Sequence, residues 1–263
     1  MSDVVYLYGF VPAGSALDDA PAGIDDHAVE AIELDDAHAL VSRLPADEYA
    51  AAALDARMED LGWVAARGLA HERVVAWFID HGEIVPAPLF TLFSSIDALR
   101  ADARQRAPQI RATLERFAGM REWDVKLGYR SELLAQQAGA VSEQVRALDD
   151  EIASATPGKR FLLERKRADL AKREIVQAAR RIADDVFDEL QPHVRDAVRL
   201  ALPGAAAELP VVLSAALLID RAGEAALVKR LEARADALRP LGMDLSFSGP
   251  WAAYRFMGAP NAG

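Results

Sequence analysis

At 263 residues the chain has room for one large domain or two ordinary ones, and 52% apolar residues suffice to build their cores. A net charge of −11 sets the surface against nucleic acid and anionic membranes, and the lack of cysteine removes disulfides, thiolate metal sites and cysteine nucleophiles. No apolar run reaches the ~18 residues of a membrane span, and the opening MSDVVYLYGF, with an acid at Asp3 and no basic segment, predicts no signal peptide. These totals predict a soluble, cytoplasmic protein.

In chain order, Val4 to Val11 reads as a strand. Val5, Leu7 and Gly9 face one way and Val4, Tyr6 and Tyr8 the other, and both sets are largely apolar, which predicts a central strand. Val29–Leu34 and Ala37–Ser42 predict a hairpin about Asp35-Asp36. Asp47 is placed to cap a helix from Glu48 to about Ala66, and a second helix is predicted over Leu69–Asp80. A proline-braced extended segment follows from Ile84 to Phe93. Ser94 or Ser95 then caps a helix to about Arg106, and another covers Pro108–Ala118, with Gly119 as the boundary.

The second half opens on Glu122–Tyr129, where Trp123, Val125, Leu127 and Tyr129 alternate with charged or small residues as in a strand with one buried face. Leu134, Ala138, Val141, Val145, Leu148 and Ile152 step by four and three, which predicts one helix with an a/d seam. Thr156-Pro157-Gly158 breaks it. A long helix from about Lys159 to Leu190 presents Ala171, Ile175, Ala178, Ile182, Val186 and Leu190 on one face. Together they predict an antiparallel helical hairpin of roughly 35–45 Å. Pro192 kinks or restarts the chain before a helix over Val194–Leu202. Leu209–Asp220 reads as an interior strand and Glu224–Leu238 as an amphipathic helix. Met243, Leu245 and Phe247 alternate with polar residues in a last strand, which Gly249-Pro250 interrupts before an aromatic tail of Trp251, Tyr254 and Phe256.

Chemistry-bearing patterns are sparse. The five histidines form no metal spacing. His71-Glu72 invites a general-base reading, but the favoured one is a histidine that supports a helix–strand contact. No phosphate-binding glycine loop or nucleophile elbow is present. The paired acids, such as Asp35-Asp36 and Asp149-Asp150, fall in loops or on polar helix faces. The basic run Arg165-Lys166-Arg167 is flanked by Glu164 and Asp169 and reads as a set of surface ion pairs. Neither catalytic residues nor a cofactor nor a metal is predicted.

Several stretches, taken together, resemble one family. Gly249-Pro250-Trp251-Ala252-Ala253-Tyr254-Arg255-Phe256 is similar to the Gly-Pro-Trp-Pro-Pro-Tyr-x-Phe signature that closes proteins of the gas vesicle protein F/L family, with alanines replacing two prolines. Tyr6-Leu7-Tyr8-Gly9-Phe10-Val11, Ala39-Leu40-Val41-Ser42, His71-Glu72-Arg73-Val74-Val75, Glu122-Trp123-Asp124-Val125-Lys126 and the block from Gly158 resemble further landmarks of that family, in the same order. The family's Pro-hydrophobic-Arg-Phe-Gly-Thr segment corresponds to Pro86-Ala87-Pro88-Leu89-Phe90-Thr91-Leu92-Phe93, without the arginine and glycine.

The resemblance implies an α+β protein of two domains, 1–118 and 119–263. The second would be a modified ferredoxin-like sheet with a long inserted αα-hairpin at about 131–202 and a tail at 250–258. It also implies a non-enzymatic accessory protein of gas vesicle assembly that partners the major shell protein and other accessory proteins. Leu245, Phe247, Trp251, Tyr254 and Phe256 are the candidate partner-binding residues, although the aromatics also suit the core of the second domain. The competing reading is a small-molecule-binding or enzymatic domain on a ferredoxin-like scaffold.

Overall fold

The first strand is apolar on both faces because both faces are covered. In the computed structural model, which describes residues 3–204 and 209–257, β1 (Asp3–Pro12) lies inside a sheet whose other strands are β2 (Glu30–Glu33), β3 (Ala37–Pro45), β4 (Val85–Pro86) and β5 (Leu92–Phe93). The order is β2-β3-β1-β4, with β5 also on β1, and these pairings are antiparallel. Tyr6, Tyr8, Val11, Leu40 and Leu44 pack with Val74, Val75 and Phe78 of the helix Leu61–His81. Val5, Leu7, Phe10, Ala39 and Val41 pack with Leu99, Ala103, Ile110 and Leu114 of the helices Ile96–Gln105 and Ala107–Phe117. The β1–β3 register shifts between Leu7 and Gly9. That bulge moves Phe10 onto the face of Leu7 and Val11 onto the face of Tyr8. Gly9 is required there, since a Cβ would lie 2.5 Å from the Val85 carbonyl oxygen of β4.

Two helical expectations in this half are corrected. The helix expected over Glu48–Ala66 is broken into Ala46–Tyr49 and Ala51–Arg57, because Ala50 is extended. Asp47 sits inside the first piece instead of capping it. Asp60 is the effective cap: its carboxylate accepts from the amides of Gly62 and Trp63 and starts a 21-residue helix that runs through the expected gap before Leu69. Ser95 caps as expected, accepting from Ala98 N.

By their internal contacts, residues up to Glu122 and again from Pro250 form one unit, and Trp123–Gly249 form the other. The boundary therefore falls just past Gly119, inside a strand, and the tail belongs with the N-terminal unit. Gly258, the last residue of the expected tail, lies outside the described residues.

The second sheet contains β6 (Met120–Tyr129), β7 (Asp196–Arg199), β8 (Val211–Asp220) and β9 (Met243–Trp251) in the order β7-β8-β6-β9. Trp123, Val125 and Leu127 of β6, Leu213, Ala215 and Leu217 of β8, and Met243 and Leu245 of β9 share one core. Helices Pro157–Leu190 and Glu224–Leu238 supply Ile175, Val186, Leu190, Leu227 and Leu231 to it.

Three expectations in this unit fail for local reasons. The helix preceding Pro157 is not continuous but split into Ser131–Gln136, Ala138–Val141 and Glu143–Ala153. Ser142 is extended; its hydroxyl accepts from Val145 N as a fresh cap and donates to Glu174 of the long helix. The seam residues Leu134, Ala138, Val145 and Leu148 are buried nonetheless. The helix expected over Val194–Leu202 is instead the strand β7, paired antiparallel with β8; cross-strand pairing overrides a pattern too short to specify a period. Finally, β9 continues through Gly249-Pro250 to Trp251. It is one of the two edge strands of its sheet, where a proline's missing N–H is tolerated.

Candidate functional site

The first unit contains a buried hydrogen-bond chain that joins three distant stretches of sequence. Tyr6 is delivered by β1, His71 and Glu72 by the helix Leu61–His81, and Tyr254 by the C-terminal tail. The Tyr6 hydroxyl lies 2.7 Å from His71 Nδ1 and accepts from Phe90 N at 3.3 Å. The Tyr254 hydroxyl lies 3.3 Å from His71 Nε2 and donates to Glu72 Oε1 at 2.9 Å.

One proton assignment satisfies every group. Phe90 N–H donates to Tyr6, Tyr6 O–H to His71 Nδ1, His71 Nε2–H to Tyr254, and Tyr254 O–H to the Glu72 carboxylate. His71 is therefore neutral, and only 1% of it is exposed. Burial pushes its pKa down to about 4, partly offset by the Ala87 carbonyl. Burial likewise raises the Tyr6 and Tyr254 hydroxyls and the Glu72 carboxyl, the last partly offset by the bond from Tyr254.

Two side networks extend this chain. Tyr8 stacks on His71 with centroids 5.6 Å apart, contacts Ser42 Oγ at 3.0 Å and accepts from Ile24 N at 2.8 Å. Gly23 is what lets that loop close over Tyr8. A Cβ at Gly23 would lie 1.9 Å from the Tyr8 hydroxyl oxygen. The variant Gly23→Ala is accordingly expected to destabilise the first unit by about 2–3 kcal/mol in urea titration. Further out, Asp25 accepts from Tyr49, and Arg67 pairs with Asp25 at 2.7 Å while lying over the Trp63 ring at 4.3 Å. Burial, followed by the bond to Asp25, pushes the Tyr49 hydroxyl up to about 12.

The tail is held at a second point. Glu122, 1% exposed, accepts from Arg255 N at 3.0 Å and from Arg255 Nη1 at 2.9 Å. Its neighbour Trp123 serves the other unit, where its indole N–H donates to Glu224 at 3.1 Å and its ring lies 6.1 Å from Phe247.

Of the five candidate contact residues, Leu245 is buried and Phe247 half-buried in the second core. In the first unit, Phe256 is 1% exposed, Trp251 is half-buried, and Tyr254 packs with the Tyr6–Tyr8 core. The aromatic tail thus completes a core, but that of the first unit, not the second. Sequence reasoning missed Tyr6 and Tyr8 as its packing neighbours and Glu122 as its second anchor. The available signal was that each lies in a stretch resembling the same family.

Chemically, this arrangement orders the chain. Both ring nitrogens of His71 are engaged by tyrosines, as expected of a histidine supporting a helix–strand contact. Among the described residues no group of three or more His, Asp or Glu side chains could hold a metal ion. No described helix is long and apolar enough to cross a membrane. A cavity of about 270 Å³ lies elsewhere in the unit, between Glu33–Ala37 and Arg100, Arg104 and Arg111.

Comparison with known proteins agrees with these landmarks. The family model described as gas vesicle synthesis protein GvpL/GvpF matches residues 4–258. Gas vesicle protein L of a Streptomyces species is 27% identical over 262 residues, covering 96% of this chain and 92% of that protein. Gas vesicle protein L2 of Halobacterium salinarum is 27% identical over 97% of this chain and 92% of its own. The crystal structure of GvpF from Anabaena sp. PCC7120 has the same fold, with a TM-score of 0.69 at 19% identity over 99% of this chain and 98% of that one. GvpF from Microcystis aeruginosa gives 0.67 at 17% identity over 97% and 99%. The stretches that build the latch between strand, helix and tail are those that carried the likeness in the sequence, and the chain belongs to the gas vesicle GvpL/GvpF family, with a role in gas vesicles.

Proposed function

We propose that this chain is a non-enzymatic accessory protein of gas vesicle assembly, which binds the hydrophobic shell protein and assists nucleation or growth. The observation that carries the reading is the family match along 4–258, unbroken across both units. The physical need is clear: a subunit that polymerises into an apolar wall exposes aggregation-prone surface before it is built in. An acidic partner of net charge −11 keeps such an intermediate dispersed. The protein acts in the cytoplasm and at the vesicle, alongside other accessory proteins.

The contact element in this reading is β9, whose outer position suits strand addition. Asp244, Ser246 and Ser248 are exposed along it, while Leu245 and Phe247 turn inward and hold the strand in register. Trp251, Tyr254 and Phe256 lie in the first unit, where Tyr254 bonds to Glu72 and Phe256 is buried. The strand succession β6, helical hairpin, β7, β8, helix, β9, with the order β7-β8-β6-β9, supports a ferredoxin-like second domain carrying an inserted hairpin.

The test is retention of the folded chain on immobilised shell protein at micromolar concentration. Asp244→Lys with Ser246→Lys places two cations on the outer strand, which blocks pairing without touching the core. Retention is expected for the unaltered chain and a loss of tenfold or more for the variant. Equal retention of both would remove β9 as the contact; retention of neither chain would remove the shell protein as the partner.

A further inference from the structure

Two exposed apolar patches of opposite charge lie on the two units. The first is a stripe on the helix Leu61–His81. Leu61, Ala65 and Leu69 recur every four residues and therefore line one face, with Met58 just ahead of them. All are exposed, Leu61 at 81% and Leu69 at 70%. Exposed acids crowd its leading end at Asp55, Glu59 and Asp60.

The second patch is the tip of the helical hairpin, in the first turns of Pro157–Leu190. Phe161 and Leu162 are each 67% exposed, whereas Leu163 beside them is buried. Lys159, Arg160, Arg165 and Lys166 surround them. Of the basic run Arg165-Lys166-Arg167, only Arg167 makes the ion pair the sequence suggests, with Asp149; Lys159 pairs with Glu151. Arg160, Arg165 and Lys166 make no ion pair among the described residues. A cationic tip on a chain of net charge −11 is a local reversal of sign.

Side chains as apolar as Phe161 and Leu61 are rarely left in water without use, and each patch is edged mainly by the charge opposite to the other's, with Arg73 on the stripe and Glu164 at the tip as the exceptions. We propose that the basic tip of one copy docks on the acid-edged Leu61–Leu69 stripe of a second copy. The contact is heterologous: a tip meets a stripe, so one copy keeps an unused stripe and the other an unused tip for the next. Such a contact propagates into rings or open chains. It would give an assembly factor several copies of its partner-binding surface in one place, and so a gain in avidity without any new contact to the partner.

Sedimentation velocity of the full chain, alone and without shell protein, tests this. The mean mass should rise with concentration across the micromolar range and fall as salt is added, because the rim charges are exposed and screened. Phe161→Ser with Leu162→Ser removes the tip, and Leu61→Ser with Leu69→Ser removes the stripe. All four positions are exposed, so unchanged circular dichroism is expected. Either double variant alone should remain a monomer. Mixed in equal amounts they should form dimers and nothing larger, since the intact stripe of one meets the intact tip of the other. An unaltered chain that stays monomeric overturns the proposal. So do variants that still self-associate, or a mixture that fails to pair.

Discussion

A chain cut after Trp251 is expected to lose at least about 5 kcal/mol of the first unit's stability. The residues removed include Phe256, which is 1% exposed. Removing a buried phenylalanine to a small residue costs about 3–5 kcal/mol through lost transfer and cavity energy. Glu122, a carboxylate with a 2% exposed side chain, also loses its two bonds from Arg255. Hydrogen bonds to a buried charge are each worth about 1.5–3 kcal/mol. Neighbouring losses do not add in full, so the expectation is set somewhat below the lower end of the sum, which is about 6 kcal/mol. Set against total stabilities of about 5–15 kcal/mol, that leaves the unit marginal or unfolded. Tyr254→Phe grades the same effect: it removes one hydroxyl between His71 and Glu72 and should cost about 1–3 kcal/mol. In urea unfolding the midpoint should fall from the full chain to Tyr254→Phe and furthest in the truncation. An unchanged midpoint for the truncation would mean the tail is not part of the core.

Acidification from pH 7 to pH 4 is expected to cost about 3 kcal/mol through His71 alone. Its pKa is about 4 in the folded chain and 6.5 when unfolded. Between those values the unfolded chain binds a proton that the folded chain refuses, so stability rises with pH and is lost as pH falls through that window. The gap corresponds to about 3 kcal/mol at about 1.4 kcal/mol per pH unit. Glu72 works the other way. Its folded value is raised, so its contribution favours the folded state at low pH and is lost as pH rises through the folded value. It therefore opposes the slope that His71 sets. Replacing His71 by Gln retains a neutral polar side chain and removes the titration. The stability difference between pH 7 and pH 4 should shrink by about 3 kcal/mol in His71→Gln, measured by urea titration at each pH. An identical slope in both proteins would contradict the assignment of a buried neutral imidazole.

The readable parts of this molecule were those where one short-range rule dominates. The double-faced apolarity of Val4–Val11, the alternation in Trp123–Tyr129 and the long seam from Ala171 to Leu190 each predicted an element that formed. The failures come from longer-range or competing terms. Val194–Leu202 lacks a decisive period, and its pairing with β8 is settled across more than ten residues of connecting chain. Ser142 and Asp60 redirect helices because a cap outweighs a propensity summed over a few residues. The site was legible only in pieces. Spacing identified His71-Glu72 and the tail as unusual, yet nothing local says that Tyr254 reaches Glu72, 182 residues away. Family likeness supplied the missing link in outline, since its separate landmarks proved to be the two ends of each hydrogen bond in the latch.

Hydrogen exchange of the folded chain with and without the shell protein tests the central claim most directly, that this molecule works by presenting surface to another polypeptide on a frame locked by its own tail. Amides along Met243–Phe247 should exchange more slowly when the shell protein is present, while those of β1 and the His71 helix, already protected by the latch, should stay unchanged. Identical exchange along the whole chain in both conditions, with both proteins folded and at micromolar concentration, would contradict it.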